Sequence, residues 1–226
     1  MDWLKQPRSV CNASFDDPAS FANDVKERGV RSVRMFPVLH QYPFQEWVVG
    51  PWLDWLSAER VPLWIPAEQV EPSMLHDVMK ERRDLSLVLS EVHYRHVSWA
   101  LPLLRSLPNA SIEISRFYIA DLIPRLIDAV GDQRILYGSR FPDSPMAPHL
   151  YNLHRSDLSE ASLTSICSGN LDRLLAFVLH RVEVERLDCN DRHRARRESG
   201  VGAGGADRKG AVCVARYGPG GTRRRL

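Results

Sequence analysis

The chain has 226 residues, of which 44% are hydrophobic and 26% are charged, and its formal net charge is +2. This composition supports a globular protein with a sizeable core and argues against a chain that is disordered throughout. No apolar run approaches the roughly 18 residues that a membrane-spanning helix needs, and the first residues lack the apolar stretch of a signal peptide. We therefore expect a cytoplasmic protein without a membrane partner. The four cysteines form no Cys-x-x-Cys pair, which argues against both a zinc knuckle and a disulfide framework.

Positive charge is concentrated near the end of the chain. Residues 181–226 hold 12 Lys or Arg against 6 Asp or Glu, a net charge of +6, which leaves −4 on residues 1–180. The same segment holds 8 of the 13 glycines. Because such a composition buries too little apolar surface to offset chain entropy, we predict a disordered, basic Gly- and Arg-rich tail at 187–226 and one folded domain at 1–186. The acidic body makes nucleic acid the least favoured partner.

Before the tail, helical patterns alternate with short apolar segments, which is typical of βα units around a parallel sheet. Asp17 and Pro18 predict the start of the first helix, as its N-cap and first residue, and Gly29 predicts its end. The predicted helices cover residues 18–28, 45–60, 72–83, 97–107, 119–130 and 170–182, and another begins near Ser156 or Asp157. The predicted strands cover residues 30–36, 61–66, 85–90, 110–115 and 134–137.

The last predicted strand runs into Gly138 and Ser139, which predict a tight turn, and Pro142 follows. Three other segments accompany this turn, at residues 29–37, 108–115 and 169–175. In their order and spacing, these segments resemble the amidohydrolase-related family (amidohydrolase 2 type) of the metal-dependent hydrolase superfamily. The resemblance implies a (β/α)8 TIM barrel with its active site at the carboxyl ends of the strands.

Five predicted strands are three fewer than an eight-stranded barrel contains. We therefore predict an α/β fold in the form of a partial or distorted (β/α)8 TIM barrel, truncated at its N-terminal side. The alternative is that short N-terminal strands add to the sheet. A partial barrel leaves strand edges unpaired, and unpaired edges favour pairing with another chain, so a homo-oligomer is a further expectation.

The resemblance also implies a divalent metal such as zinc. The family's ligands are a His-x-His pair on the first strand, single histidines on two middle strands, and the Asp of a Gly-(Ser/Thr)-Asp-x-Pro turn. This chain has no His-x-His pair, the second predicted strand ends with Ile65-Pro66-Ala67-Glu68-Gln69 where a His is expected, and Arg140 takes the position of the Asp. Because a permanent cation replaces an anionic ligand, we predict no metal-binding residue in this chain.

His93, after the third predicted strand, is the first candidate catalytic residue, as a general acid or base. Glu91 lies two residues earlier and is the candidate that orients it. The alternative is that His93 is a packed or surface histidine.

The remaining candidates are substrate-binding residues. Glu113 lies on the fourth predicted strand and faces either the barrel interior, or solvent or an arginine. Arg116 follows that strand and can bind a substrate carboxylate through two hydrogen bonds. Together with Arg95 and Arg140 it predicts a cationic mouth for an acidic substrate. The alternative for Arg140 is an ion pair with Glu113 or Asp143.

The resemblance implies a hydrolase or a non-oxidative decarboxylase of a small carboxylated or cyclic substrate. The residues themselves leave a second interpretation open. With the usual metal ligands largely missing, the chain is alternatively a non-catalytic barrel remnant or a binding module.

Overall fold

The computed structural model describes residues 9–13, 17–117 and 121–178, which form a parallel sheet covered by helices. Each strand pairs with the next one along the chain, in the order β1 to β6. The strands are β1 (Ser9–Cys11), β2 (Val33–Met35), β3 (Leu63–Pro66), β4 (Leu87–Ser90), β5 (Ala110–Glu113) and β6 (Ile135–Leu136). This sequential parallel order is that of a (β/α)8 barrel. The predicted α/β partial barrel is confirmed, with six strands among the described residues where five were predicted.

Eight helices in the described part of the chain connect or follow these strands. They are α1 (Pro18–Glu27), α2 (Glu46–Ala58), α3 (Pro72–Met79), α4 (Val97–Ser106), α5 (Leu122–Val130), α6 (Met146–His154), α7 (Glu160–Thr164) and α8 (Asn170–Ala176). The start of α1 is the predicted one, because the Asp17 carboxylate accepts a hydrogen bond of 2.9 Å from the Ser20 amide. None of the described helices has the length and apolar character that crossing a membrane requires.

The structure adds two elements that the sequence analysis left out, namely β1 and α6. It also corrects the cap of α7, since Ser159 rather than Ser156 or Asp157 accepts the hydrogen bond of the Ser162 amide. A π-helical segment joins α7 to α8, so the two form one continuous helical stretch. The predicted tail at 187–226 lies outside the described residues, and pairing between copies through sheet edges stays a prediction.

The two faces of the sheet have different surroundings. Leu63 and Ile65 of β3 belong to the large apolar cluster that the sheet shares with the helices. Trp64, between them, lies on the other face, in a small cluster with Val88 and Leu136. Two leucines of α8, Leu171 and Leu174, pack against this inner cluster. The alternation of side chains along a strand therefore separates an outer face, covered by the helices that connect the strands, from an interior face, against which α8 packs.

Candidate functional site

Charged side chains gather where the strands end, at the edge of the sheet that holds the active site in barrel enzymes. Glu68 follows β3, Glu91 and His93 follow β4, and Arg116 follows β5. Arg140 follows β6 in the same way. The parallel order of the strands therefore brings residues that are far apart in sequence to one end of the sheet.

Glu68 connects two of the three predicted arginines. Its Oε1 lies 3.2 Å from Nη2 of Arg95 and 3.5 Å from Nη1 of Arg116. The same Arg116 nitrogen lies 3.7 Å from Oε2 of Glu91. Two arginines and two carboxylates thus form one cluster, which we call the mouth cluster (Glu68, Glu91, Arg95 and Arg116).

His93 and His96 lie beside this cluster. The backbone amide of His93 donates a hydrogen bond of 3.2 Å to Nδ1 of His96, and the two ring centroids are 6.4 Å apart. Burial is the main cause that lowers the pKa of His96; neighbouring Arg95 lowers it further, whereas Glu68 acts in the opposite direction. His96 is therefore sensitive to the charge of the mouth cluster.

The carboxylate of Glu91 turns toward Arg116 rather than toward the histidine that it was expected to orient. No hydrogen bond joins Glu91 to the ring of His93 within the described ranges. The ring of His93 instead contacts Tyr94, at a centroid distance of 4.1 Å. Glu91 also has a left-handed backbone, with φ of 54°.

Glu113 is buried at the carboxyl end of β5, with 7% of its surface exposed. Ile112 and Ile114 belong to the outer cluster, so Glu113 lies on the interior face, one of the two alternatives left open by the sequence. Its carboxylate accepts hydrogen bonds from the Ser115 amide at 2.6 Å, the Ser115 hydroxyl at 2.8 Å and the Glu91 amide at 3.3 Å. Desolvation raises the pKa of Glu113, and these bonds and the charge of Arg34 oppose that effect only in part.

Gly138 allows Glu113 to occupy this position. A Cβ atom at Gly138 would lie 1.6 Å from Oε1 of Glu113 and 3.0 Å from Cβ of Ser115. No side chain fits at such distances, so glycine is required here by the close approach of the carboxyl group. Gly138 therefore has a packing function, and the predicted turn at Gly138 and Ser139 is corrected, because the turn of the structure lies at residues 141–143.

Arg140 is not joined to the mouth cluster by any ion pair in the described part of the chain. It adopts a left-handed backbone, with φ of 54°, and its charge contributes, after burial, to lowering the pKa of His149 on α6. Ion pairs with Glu113 or Asp143 are likewise absent among the described residues. Of the predicted cationic mouth, the structure brings Arg95 and Arg116 together through Glu68 and leaves Arg140 beside α6.

The donor set at these strand ends does not fit a divalent metal. Within the described residues, no group of three or more His, Cys, Asp or Glu side chains is arranged to hold a metal ion. The carboxylates of Glu68 and Glu91 face arginines, and that of Glu113 is occupied by Ser115.

A cavity of about 500 Å³ lies elsewhere, in the helical layer between α2 and α3. Arg82 lines it and binds Glu46 at 2.6 Å and Asp54 at 2.9 Å. The Asp77 carboxylate at its rim pairs with Lys80 at 3.0 Å. These charged groups bind one another through short contacts and no strand ends there, whereas the contacts of the mouth cluster are longer and lie at the carboxyl ends of the strands, so the mouth cluster is the candidate site.

Sequence reasoning missed the bridging function of Glu68 and the sensitivity of His96 to charge. Glu68 lies within residues 65–69, where the resemblance implies a histidine, but the sequence pattern does not single it out. The pairing itself joins residues 48 positions apart. Only the register of the sheet brings them together.

Comparisons with known proteins agree with this architecture. A family model described as Amidohydrolase matches residues 7–177. A structural match to a TIM-barrel protein from Bordetella bronchiseptica has a TM-score of 0.66 at 17% identity, over 76% of this chain and 67% of that one. A search of curated proteins finds no match.

Two decarboxylases are also similar in structure. 5-Carboxyvanillate decarboxylase from Sphingomonas paucimobilis has a TM-score of 0.57 at 14% identity, over 71% of this chain and 64% of that one. A dihydroxybenzoic acid decarboxylase from Polaromonas, with bound manganese and the inhibitor 2-nitroresorcinol, has a TM-score of 0.54 at 15% identity, over 76% and 69%. The chain thus spans about two thirds of the length of these proteins. With a parallel barrel sheet and a family match over most of its length, this chain belongs to the amidohydrolase family.

Proposed function

We propose that this protein binds a small aromatic or cyclic carboxylic acid at the mouth cluster and acts on it as a hydrolase or non-oxidative decarboxylase. The observation that carries the proposal is Arg116, a guanidinium held at the carboxyl end of β5 with a quarter of its side chain exposed. Two structurally similar proteins are decarboxylases of aromatic acids. Nitro and carboxylate groups have similar shapes, so 2-nitroresorcinol in one of them resembles a dihydroxybenzoate.

Arg116 binds the substrate carboxylate in this proposal. Its planar fork of N–H donors matches the two oxygens of a carboxylate. Arg95, which shares Glu68 with it, adds positive charge at the same opening. Arg140 is a further anion-binding candidate on the β6 side. The exposed ring of Tyr94, 60% accessible, offers an apolar surface for an aromatic substrate.

His93 is the proposed general acid or base. In a decarboxylation, the bond between the ring carbon and the carboxylate breaks, CO2 leaves, and the electron pair stays on the ring carbon. That carbon takes a proton from protonated His93, which solvent then restores. Glu113 is buried and bonded to Ser115 and to the Glu91 amide, so in this proposal it supports the backbone at the mouth cluster and does not contact the substrate.

The related decarboxylase binds manganese, whereas the described residues of this chain provide no fitting ligand set. This difference favours a second candidate function, a non-catalytic binding module that keeps the anion site. Both candidate functions require binding of a carboxylate ligand, and only the enzyme converts it to a product.

Release of CO2 from 2,6-dihydroxybenzoate, measured with and without added manganese, tests the enzymatic proposal. We expect resorcinol to accumulate with the wild-type protein and not with His93→Ala, while His154→Ala, an exposed histidine on α6, serves as the control. Turnover that survives His93→Ala would remove that residue from the mechanism. Binding without any turnover would leave the binding module as the function.

A further inference from the structure

The mouth cluster contains two arginines and two carboxylates, so its formal charges cancel. Glu68 contacts both arginines, whereas Glu91 contacts one. Glu68 bridges Arg95 at 3.2 Å and Arg116 at 3.5 Å, whereas Glu91 lies near Arg116 alone at 3.7 Å. The side chain of Glu68 is 45% exposed and that of Arg95 is 63% exposed. A carboxylate of the protein therefore already occupies the position at which a carboxylate ligand would bind.

These contacts of 3.2 to 3.7 Å join side chains that are exposed or partly exposed. Exposed ion pairs of this kind contribute about 0 to 1 kcal/mol to stability. A ligand carboxylate that forms two short hydrogen bonds with Arg116 makes a stronger interaction than a single contact of 3.5 Å. The exchange of one carboxylate for the other therefore has a small cost.

The backbone that carries Glu68 is fixed, so the exchange requires only a side-chain rotation. Glu68 lies in a short 3₁₀ turn (Ala67–Gln69) directly after β3. The side chain of the next residue, Gln69, accepts a hydrogen bond of 2.9 Å from the Leu39 amide, which ties the turn to the loop after β2. Pro66 precedes the turn and restricts its backbone.

We propose that Glu68 is an internal competitor that neutralises Arg95 and Arg116 until a ligand carboxylate displaces it, so that it determines the affinity of the site for anions. This inference rests on the proposed function, since it assumes that the mouth cluster binds carboxylates. Glu68 in this account is a specificity-determining residue and has no part in bond breaking.

The test is a calorimetric titration of the wild-type protein, Glu68→Gln, Glu68→Asp and Glu91→Gln with benzoate, which carries the carboxylate without presuming a reaction. We expect Glu68→Gln to bind benzoate about three- to tenfold more tightly, the range that the loss of one exposed carboxylate competitor allows. Glu91→Gln removes the same charge but contacts only one arginine, so a smaller gain is expected. Glu68→Asp keeps the charge and should stay close to the wild type.

A gain in affinity separates competition from a merely structural function, because losing a structural contact weakens or does not change binding. Equal or weaker benzoate binding by Glu68→Gln, with an unchanged melting temperature, would overturn the inference. The proposed function is judged separately with 2,6-dihydroxybenzoate. If the wild type releases no CO2 from 2,6-dihydroxybenzoate while Glu68→Gln still gains affinity for benzoate, the proposed activity fails and the competition stands.

Discussion

Arg82 and Arg116 each interact with two carboxylates, yet the two clusters differ in tightness. Arg82, in the helical layer, is 11% exposed and binds Glu46 at 2.6 Å and Asp54 at 2.9 Å. Arg116, at the strand ends, is 25% exposed and lies 3.5 and 3.7 Å from its carboxylates. The backbone carbonyl of Arg82 also accepts a hydrogen bond of 2.9 Å from the Asn109 side chain.

The difference in exposure and contact distance indicates a different function for each arginine. Short hydrogen bonds to a nearly buried guanidinium connect α2 to the segment after α3 and contribute to stability. Longer contacts at an exposed opening contribute little to stability and leave the guanidinium available to another anion. Tight pairing in the helical layer is structural, and loose pairing at the mouth fits ligand binding.

The largest expected effect concerns Gly138, which packs closely against the Glu113 carboxyl group at the carboxyl end of β5. Because a new Cβ would lie 1.6 Å from Oε1 of Glu113, Gly138→Ala should lose about 3 kcal/mol of unfolding free energy. Gly169→Ala is the matched control, since the nearest atom there is 3.6 Å away and the residue is helical. Urea denaturation measures both, and equal stability of the two variants would contradict the close packing of Glu113.

Arg82→Met should have the next largest effect. Its loss removes charge-assisted hydrogen bonds to two carboxylates, and we expect a decrease of about 2 kcal/mol in unfolding free energy. Arg116→Met, the matched change at the mouth, should cost less than about 1 kcal/mol, because its ion pairs are exposed. Chemical denaturation measures the unfolding free energy of both variants. A larger loss for Arg116→Met than for Arg82→Met would contradict the assigned difference between the two arginines.

The unfolding free energy, measured over a pH series, distinguishes Glu113, whose pKa is raised, from Glu46, whose pKa is lowered. Burial raises the pKa of Glu113 above its ordinary 4.5, so its contribution to stability is present below that value and declines as pH rises through the folded pKa. Relative to Glu113→Gln, the wild type should therefore lose unfolding free energy as the pH is raised above 4.5, by at most about 1.4 kcal/mol per pH step of one. A difference between the two proteins that does not change with pH would contradict a neutral buried carboxyl.

The hydrogen bond from Arg82 lowers the pKa of Glu46, so the sign is reversed. Its contribution is present above pH 4.5 and is lost as the pH falls toward the lowered folded value. Acid denaturation should therefore be less steep for Arg82→Met than for the wild type. Because Glu46 is exposed, we expect this to be the smallest of the effects. Coincident acid transitions would show that the pair does not affect stability.

Local signals predicted most of the fold. Asp17, Pro18 and Gly29 defined the first helix, and apolar runs located five strands, although each strand is shorter in the structure than predicted. β1 was missed because three residues, Ser-Val-Cys, are too few for a recognisable pattern. The structure also corrected the cap of α7, because Ser156, Asp157 and Ser159 are all good caps and only tertiary packing selects one.

The site was less predictable than the fold. Alternation along β5 indicated that Glu113 and Ile112 take opposite faces, as they do. The pairing of Glu68 with Arg116 and the contact of Glu113 with Gly138 depend on the register between strands, which no local pattern specifies. We predicted that Arg140 lies with Arg95 and Arg116, but the backbone after β6 places it beside α6.

The measurement that tests the account most directly is a titration of the wild-type protein and Arg116→Gln with 2,6-dihydroxybenzoate and with resorcinol, which has the same ring without the carboxylate. Arg105→Gln, an exposed arginine at the end of α4, is the control for charge. We expect the wild type and Arg105→Gln to bind the acid in preference to resorcinol, and Arg116→Gln to lose about tenfold or more of the affinity for the acid alone. Equal affinity of Arg116→Gln and the wild type for the acid would contradict a carboxylate site at the mouth cluster.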